Sequence, residues 1–130
     1  MKHKQDTFLS LLEHYFNTYL PVAKGLSEST RISYKATFRI FMEYMYSVKK
    51  VSPDKITFDI LDQQLITEFL DWIESERKCS IATRNQRLSA IAAYAMYAQN
   101  RNFEAASVFR TSVLKVPKKK CPRQKSVSAL

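Results

Sequence analysis

Two stretches of this sequence combine helix-capping hydroxyl residues with closely spaced cationic and amide side chains. They are residues 27–35 (SESTRISYK) and residues 80–88 (SIATRNQRL). A Ser or Thr side chain can cap a helix start, and the free backbone N–H groups at that start suit a phosphate. Arginine, asparagine and glutamine at such a position can also form paired hydrogen bonds with the base edges of DNA. The pattern indicates nucleic-acid binding.

The formal net charge of +9 is distributed unevenly along the chain. Residues 27–50 contain five Lys or Arg against two Asp or Glu, and residues 80–130 contain ten against one. Residues 51–79, by contrast, contain three cationic and seven acidic side chains. Such segregation favours a polyanionic partner with the acidic segment turned away from it, and solvated surface charge is the alternative.

The composition excludes several classes of protein. Hydrophobic residues make up 45% of the chain, and Gly25 is the one glycine, so glycine-rich phosphate loops and turn-rich β-folds are disfavoured. Cys79, Cys121, His3 and His14 show no metal-ligand spacing, and no nucleophile–base pair stands out. Without a signal peptide or an apolar run of membrane-spanning length, we expect a cytoplasmic protein with no membrane, metal or cofactor partner.

Apolar residues recur with helical periodicity and predict an all-α bundle of four to five helices. Each predicted helix begins directly after a residue whose side chain can cap it, and these residues are Thr7, Ser27, Asp62, Ser80 and Asn102. The first helix is expected to run unbroken to Pro21, the third to about Lys78 and the fourth to about Asn100.

Residues 116–130 lose this periodicity and are expected to form a basic linker. Pro117 and Pro122 bracket the cations Lys118, Lys119 and Lys120, a pattern typical of exposed chain. The sequence therefore predicts a DNA-binding domain over residues 1–115, followed by a linker over 116–130 towards a catalytic domain that this chain does not contain.

Three blocks of residues, in their order and spacing, resemble the N-terminal core-binding domain of tyrosine recombinases, the phage-integrase family. The first is Ser27-x-x-Thr30-x-x-x-Tyr34-x-x-x-Phe38-x-x-Phe41-x-x-Tyr44-Met45. The others are Ile66-x-x-Phe69-Leu70-x-x-Ile73 and Ser80-Ile81-x-Thr83-x-Asn85-x-x-Leu88-Ser89-x-Ile91, with Val116-Pro117-Lys118-Lys119 matching the linker. The resemblance extends from about residue 7 to residue 120.

The resemblance implies a small orthogonal SAM-like bundle that clamps duplex DNA during site-specific integration or excision, and a full-length protein that assembles as an oligomer on DNA. It also implies that the chemistry belongs to a separate catalytic domain. That domain carries an H-x-x-R motif, which neither His3 nor His14 begins. None of the seven tyrosines is therefore assigned as a nucleophile, and this chain is not expected to be an enzyme.

The candidate DNA-binding residues come from both capped stretches and from the linker. They are Thr30, Arg31, Tyr34, Lys35, Arg39, Thr83, Arg84, Asn85, Arg87, Lys118, Lys119 and Lys120. We expect the arginines to point outward and Arg31, Lys35, Arg84 and Arg87 to converge on one concave surface. Replacing Arg84 and Arg87 by Glu should then abolish DNA binding without unfolding the domain. The alternative function is a basic helical module that binds an acidic protein.

Overall fold

A computed structural model describes residues 7–23 and 25–120, and within them it contains helices and no strand. The α-helices are α1 (Phe8–His14), α2 (Glu28–Ser47), α3 (Gln63–Ser75), α4 (Ile81–Arg101) and α5 (Phe103–Leu114). A π-helical turn (Tyr15–Tyr19) and a 3-10 turn (Leu20–Val22) follow α1, and two 3-10 turns (Pro53–Lys55 and Phe58–Ile60) connect α2 to α3. The prediction of an all-α fold is confirmed. His3, Cys121 and residues 121–130 of the expected linker lie outside the described residues.

All five predicted capping residues begin an α-helix. Their side chains accept a hydrogen bond from the backbone N–H three residues later, which satisfies one of the unpaired donors of each first turn. At Thr7 the cap is reciprocal, because the Ser10 hydroxyl also accepts from the Thr7 N–H.

Two expected helix ends differ from the structure. The first helix does not run unbroken to Pro21, because the α-helix changes to a π-helical turn after His14. In this turn the N–H of Leu20 donates to the Tyr15 carbonyl, five residues earlier. The wider turn stacks Tyr19 on Tyr15, with ring centroids 5.7 Å apart. α3 stops at Ser75 rather than near Lys78, whose left-handed backbone (φ 56°) turns the chain towards the start of α4.

α4 lies at the centre of the bundle and packs against α2, α3 and α5. Phe8 anchors the core: its ring is fully buried and lies between 5.4 and 6.4 Å, centroid to centroid, from the rings of Phe38, Phe41, Phe58 and Tyr94. The Tyr94 hydroxyl donates a 2.8 Å hydrogen bond to the Phe8 carbonyl. These contacts fix α4 against α1 and α2, and so determine which face of α4 remains in solvent.

Replacing Phe8 by Ala should lower the free energy of unfolding by about 3–5 kcal/mol, because the truncation leaves a cavity among four aromatic rings. Urea denaturation measures the loss. Phe103→Ala is the matched control, since that ring is 66% exposed and its removal should change the stability by less than about 0.5 kcal/mol. Equal losses for the two variants would contradict the packing described here.

Buried tyrosines should make the fold sensitive to alkali. Burial raises the pKa of Tyr15 and of Tyr94 above the ordinary value of about 10. The unfolded chain therefore loses these protons first, so stability holds below about pH 10 and falls as the pH rises further. Urea midpoints measured across this range should show the decline, and Tyr94→Phe should make it shallower. A midpoint that stays constant to about pH 11 would contradict the burial of these hydroxyl groups.

Candidate nucleic-acid interface

One face of α4 forms the floor of a continuous furrow, which we call the α4 furrow. Its first part has a volume of about 440 Å³ and is lined by Ala82, Thr83, Asn85, Gln86, Ser89 and Lys118. Its longer part, of about 860 Å³, runs along the second half of α4 between the chain before α2 and the end of α5. Ser89 and Lys118 line both parts, so the two join into one surface.

The lining of the α4 furrow contains no Asp or Glu among the described residues. Its cations are Arg101, Arg110 and Lys118. Arg101 lies over the Tyr97 ring, and Arg110 donates a 2.8 Å hydrogen bond to the Gln99 side chain. Lys118, in contrast, is exposed and forms no ion pair or hydrogen bond with the described residues. An acid-free furrow with an available lysine suits a polyanion.

The floor of the furrow is built from small side chains. Ala82, Ser89 and Ala93 line it on the accessible side of α4, with the larger, exposed Met96 beside them. Small residues allow a ligand backbone to approach the helix closely. Tyr34, from α2, stands on the wall of the longer part of the furrow and is partly buried against the core.

Arg84 does not point outward, which corrects the expectation from sequence. Its side chain is only 3% exposed, and its Nε lies 3.5 Å from Glu74 Oε2 in the last turn of α3. Its Nη1 donates 3.0 Å hydrogen bonds to the Asn85 side chain and to the Pro117 carbonyl. The guanidinium therefore binds groups of the protein itself, as a buried cation requires, although its buried Nε makes no hydrogen bond with the described residues.

Arg87 and Arg31 are also engaged within the fold. Arg87 Nη1 donates to the Ser33 carbonyl and to the Thr37 hydroxyl, at 3.2 and 3.1 Å, and so ties α4 to α2. Arg31 donates to the carbonyls of Leu20 and Ala23, at 2.9 and 3.2 Å. It thereby holds the end of the first helical segment against α2.

The four cations expected to share one concave surface do not do so. Arg31 and Lys35 line a separate depression beside Pro21. Successive helical residues are about 100° apart, which places Lys35 about 160° around α2 from Ser33, the residue that Arg87 contacts. With Arg84 buried, the expected convergence is wrong for a physical reason: three of the four guanidinium and ammonium groups stabilise the fold and the fourth faces away.

The remaining candidates divide between exposed and engaged side chains. Lys35, Arg39 and Lys120 are exposed and unpaired among the described residues. Lys119 is exposed but forms an ion pair with Glu74, with its Nζ 2.9 Å from Oε2. Thr30 lies in the first turn of α2, where its backbone N–H donates to the Ser27 cap.

Sequence reasoning missed Ser89 as a site residue and Glu74 as an organising one. Ser89 had a detectable signal, because Ala82, Gln86, Ser89 and Ala93 recur at helical spacing as a stripe of small and polar residues. Glu74 had no signal of its own, since it was one of several acidic residues on a predicted solvent face.

The described residues contain neither a cluster of His, Cys, Asp and Glu able to hold a metal ion nor a helix able to cross a membrane.

The burial of Arg84 reverses the expected outcome of a charge change there. Arg84→Glu should destabilise the domain by about 3 kcal/mol or more, because it places a second carboxylate beside Glu74 in a water-poor environment. Arg39→Glu makes the same charge change at an exposed, unpaired position and should alter stability by less than about 0.5 kcal/mol. Urea denaturation of the two variants makes the comparison, and an unchanged midpoint for Arg84→Glu would show that the side chain is not held as described.

Comparison with known proteins agrees with the fold. Residues 7–113 match the family model of the phage integrase SAM-like domain. "Putative integrase/recombinase y4rC" of Sinorhizobium fredii (strain NBRC 101917 / NGR234) is 31% identical over 120 residues, which cover 92% of this chain and 36% of that protein. "Putative integrase/recombinase y4rD" of the same organism is 34% identical over 84 residues, covering 65% of this chain and 30% of that protein.

The chain thus spans about a third of the length of the curated relatives it matches. No solved structure matches it significantly. The match to the family model covers most of the sequence and includes all five α-helices nearly to the end of α5. The chain therefore belongs to the phage integrase SAM-like domain family.

Proposed function

We propose that this chain is the DNA-holding domain of a site-specific recombinase, and that it grips duplex DNA along the α4 furrow during integration or excision. The observation that carries the proposal is the acid-free lining of the furrow, with an unpaired Lys118 on its wall. Membership of the integrase family supports the same interpretation.

The furrow offers the kinds of group that bind a DNA backbone. Thr83 and Ser89 supply hydroxyl groups, Gln86 supplies an amide, and Lys118 supplies a charge that replaces a released counterion. Because Ala82 and Ala93 are small, a sugar–phosphate strand can lie close to the helix. Gln86 is the described furrow residue best suited to a base edge, since its side chain is exposed and an amide pairs with adenine.

An exposed cation outside the furrow extends the proposed contact: Lys120, directly after the segment that carries Lys118, is proposed to bind a phosphate that flanks the central segment. Lys35 and Arg39 lie on the outer side of α2 and are not part of this proposed contact. Asp71 and Glu76, which are exposed at α3, would face away from the DNA. Arg31, Arg84, Asn85, Arg87 and Lys119 are proposed to act through the scaffold, because their polar atoms are engaged inside the protein.

The proposed parent protein is a tyrosine recombinase that acts in the cytoplasm and assembles on its DNA site. The matches cover 36% and 30% of the two relatives, so a protein of their length has space for a separate catalytic domain. In that arrangement this chain binds and orients the DNA, and the other domain cleaves the DNA strand.

A second candidate function, binding of a protein segment, is favoured by the longer part of the furrow. Tyr19, Met96 and Leu114 line it and are 46%, 45% and 63% exposed. Exposed apolar side chains grouped in this way are typical of protein contacts. A DNA titration across a salt series discriminates the two functions, because a phosphate-binding surface binds DNA with an affinity that falls steeply as salt rises, whereas a surface for an apolar protein segment does not.

The isolated chain should bind duplex DNA with a dissociation constant on the order of 10⁻⁴–10⁻⁶ M at physiological salt. Lys118→Glu should weaken binding and reduce the slope of log K against log salt by about one, the signature of one lost phosphate contact. Fluorescence anisotropy with a labelled duplex measures both quantities.

Lys55→Glu is the control, because it makes the same charge change at an exposed residue outside the furrow. It should weaken binding less and leave the slope nearly unchanged. Equal effects of the two variants would contradict a contact at the furrow, and the absence of any salt-dependent binding would contradict the DNA-holding function altogether.

A further inference from the structure

Three side chains hold the segment after α5 against the start of α4. Asn85 pairs with both backbone groups of Lys119: its Nδ2 donates to the carbonyl at 2.8 Å, and its Oδ1 accepts from the N–H at 2.9 Å. Arg84 Nη1 donates to the Pro117 carbonyl at 3.0 Å. Glu74 receives the Lys119 ammonium on both carboxylate oxygens, at 3.0 and 2.9 Å.

These contacts form one network, which we call the linker clasp and define as Glu74, Arg84 and Asn85. Glu74 lies in the last turn of α3 and Arg84 in the first turn of α4, so the connection between the helices brings the carboxylate and the guanidinium together. Arg84 also donates to Asn85 Oδ1 and so orients the amide that pairs with Lys119. A basic segment rich in Pro and Lys is expected to be flexible, yet this one is held through backbone and side chain at once.

The clasp determines which lysine is available. Lys119 is turned towards Glu74 and neutralised, whereas the preceding residue, Lys118, lines both parts of the α4 furrow. Asn85 fixes both backbone groups of Lys119, so the residue directly before it is held beside the furrow. Anchoring Lys119 to Glu74 and Asn85 therefore keeps Lys118 in the lining that it shares with Gln86 and Ser89.

We propose that Glu74, Arg84 and Asn85 are positioning residues for DNA binding: they fasten the segment 117–119 so that Lys118 is presented in the α4 furrow, while Lys119 serves as an anchor and not as a phosphate contact. This inference rests on the proposed function. It assigns an acidic residue a supporting role in binding a polyanion, which inverts the usual effect of a carboxylate near DNA.

That inversion provides the test. Glu74→Gln removes a negative charge, so electrostatics alone would tighten DNA binding. The clasp predicts weaker binding, because the released segment no longer holds Lys118 in place. Asp71→Asn is the matched control, since it removes one exposed carboxylate of the same helix that forms no hydrogen bond or ion pair with the described residues, and it should leave binding unchanged or slightly tighter.

A double-mutant cycle connects Glu74 to Lys118. In the full chain, Lys118→Ala should weaken DNA binding, and in the Glu74→Gln background the same change should have little further effect. If Glu74→Gln tightens binding as Asp71→Asn does, or if the two changes add independently, the positioning role is wrong.

The clasp itself is tested without DNA through hydrogen exchange at the Lys119 amide, measured by NMR. Asn85→Ala leaves the net charge unchanged and removes the acceptor of that N–H, so exchange should accelerate by at least about tenfold. Unfolding curves recorded alongside show whether the variant remains folded, and Glu74→Gln supplies a second variant expected to accelerate the same amide.

The two proposals fail in different ways. Unchanged exchange at Lys119 in both variants overturns the clasp even if the chain binds DNA. Protected exchange in the unaltered chain, together with no DNA binding by that chain, retains the clasp as a structural feature and overturns both the proposed function and the positioning role.

Discussion

The buried guanidinium of Arg84 is the constraint on which the arrangement of the candidate site depends. A charged group that is 3% exposed is tolerated only when opposite charge and hydrogen-bond acceptors surround it. Glu74 supplies the opposite charge, and the Asn85 side chain and the Pro117 carbonyl accept hydrogen bonds from Nη1, whereas the buried Nε has no hydrogen-bond partner among the described residues. These partners come from the end of α3, the start of α4 and the chain after α5. Satisfying one cation therefore brings three segments together beside the α4 furrow.

Counting basic residues overstates the charge that a partner can reach. Arg31, Arg84, Arg87 and Lys119 all looked available in the sequence, yet each is engaged with a carbonyl, a hydroxyl or a carboxylate of the protein. A guanidinium with several donors is well suited to collect carbonyl groups at helix ends. In this domain the arginines near the helix starts organise the bundle, and exposed lysines provide the accessible charge.

The fold was predictable because its determinants are local. Each helix start follows from a capping side chain, and the core follows from apolar residues at helical spacing around Phe8. The widened turn after His14 was not predictable, because it depends on how Tyr15 and Tyr19 pack against rings from α4. Among the candidate site residues, Thr83 and Lys118 line the same part of the furrow, and their contact with DNA stays a prediction. The engagement of Arg84 was not predictable, because it depends on Glu74, which only the tertiary fold brings near it.

The most direct test of the central claim is NMR mapping of the surface that contacts duplex DNA, with backbone amide signals followed during a titration. We expect the largest changes at Ala82, Gln86, Ser89 and Lys118 along the α4 furrow, with little change at Asp71 on α3. Changes concentrated instead at Lys35 and Arg39 on the outer side of α2, with the furrow signals unmoved, would contradict the central claim.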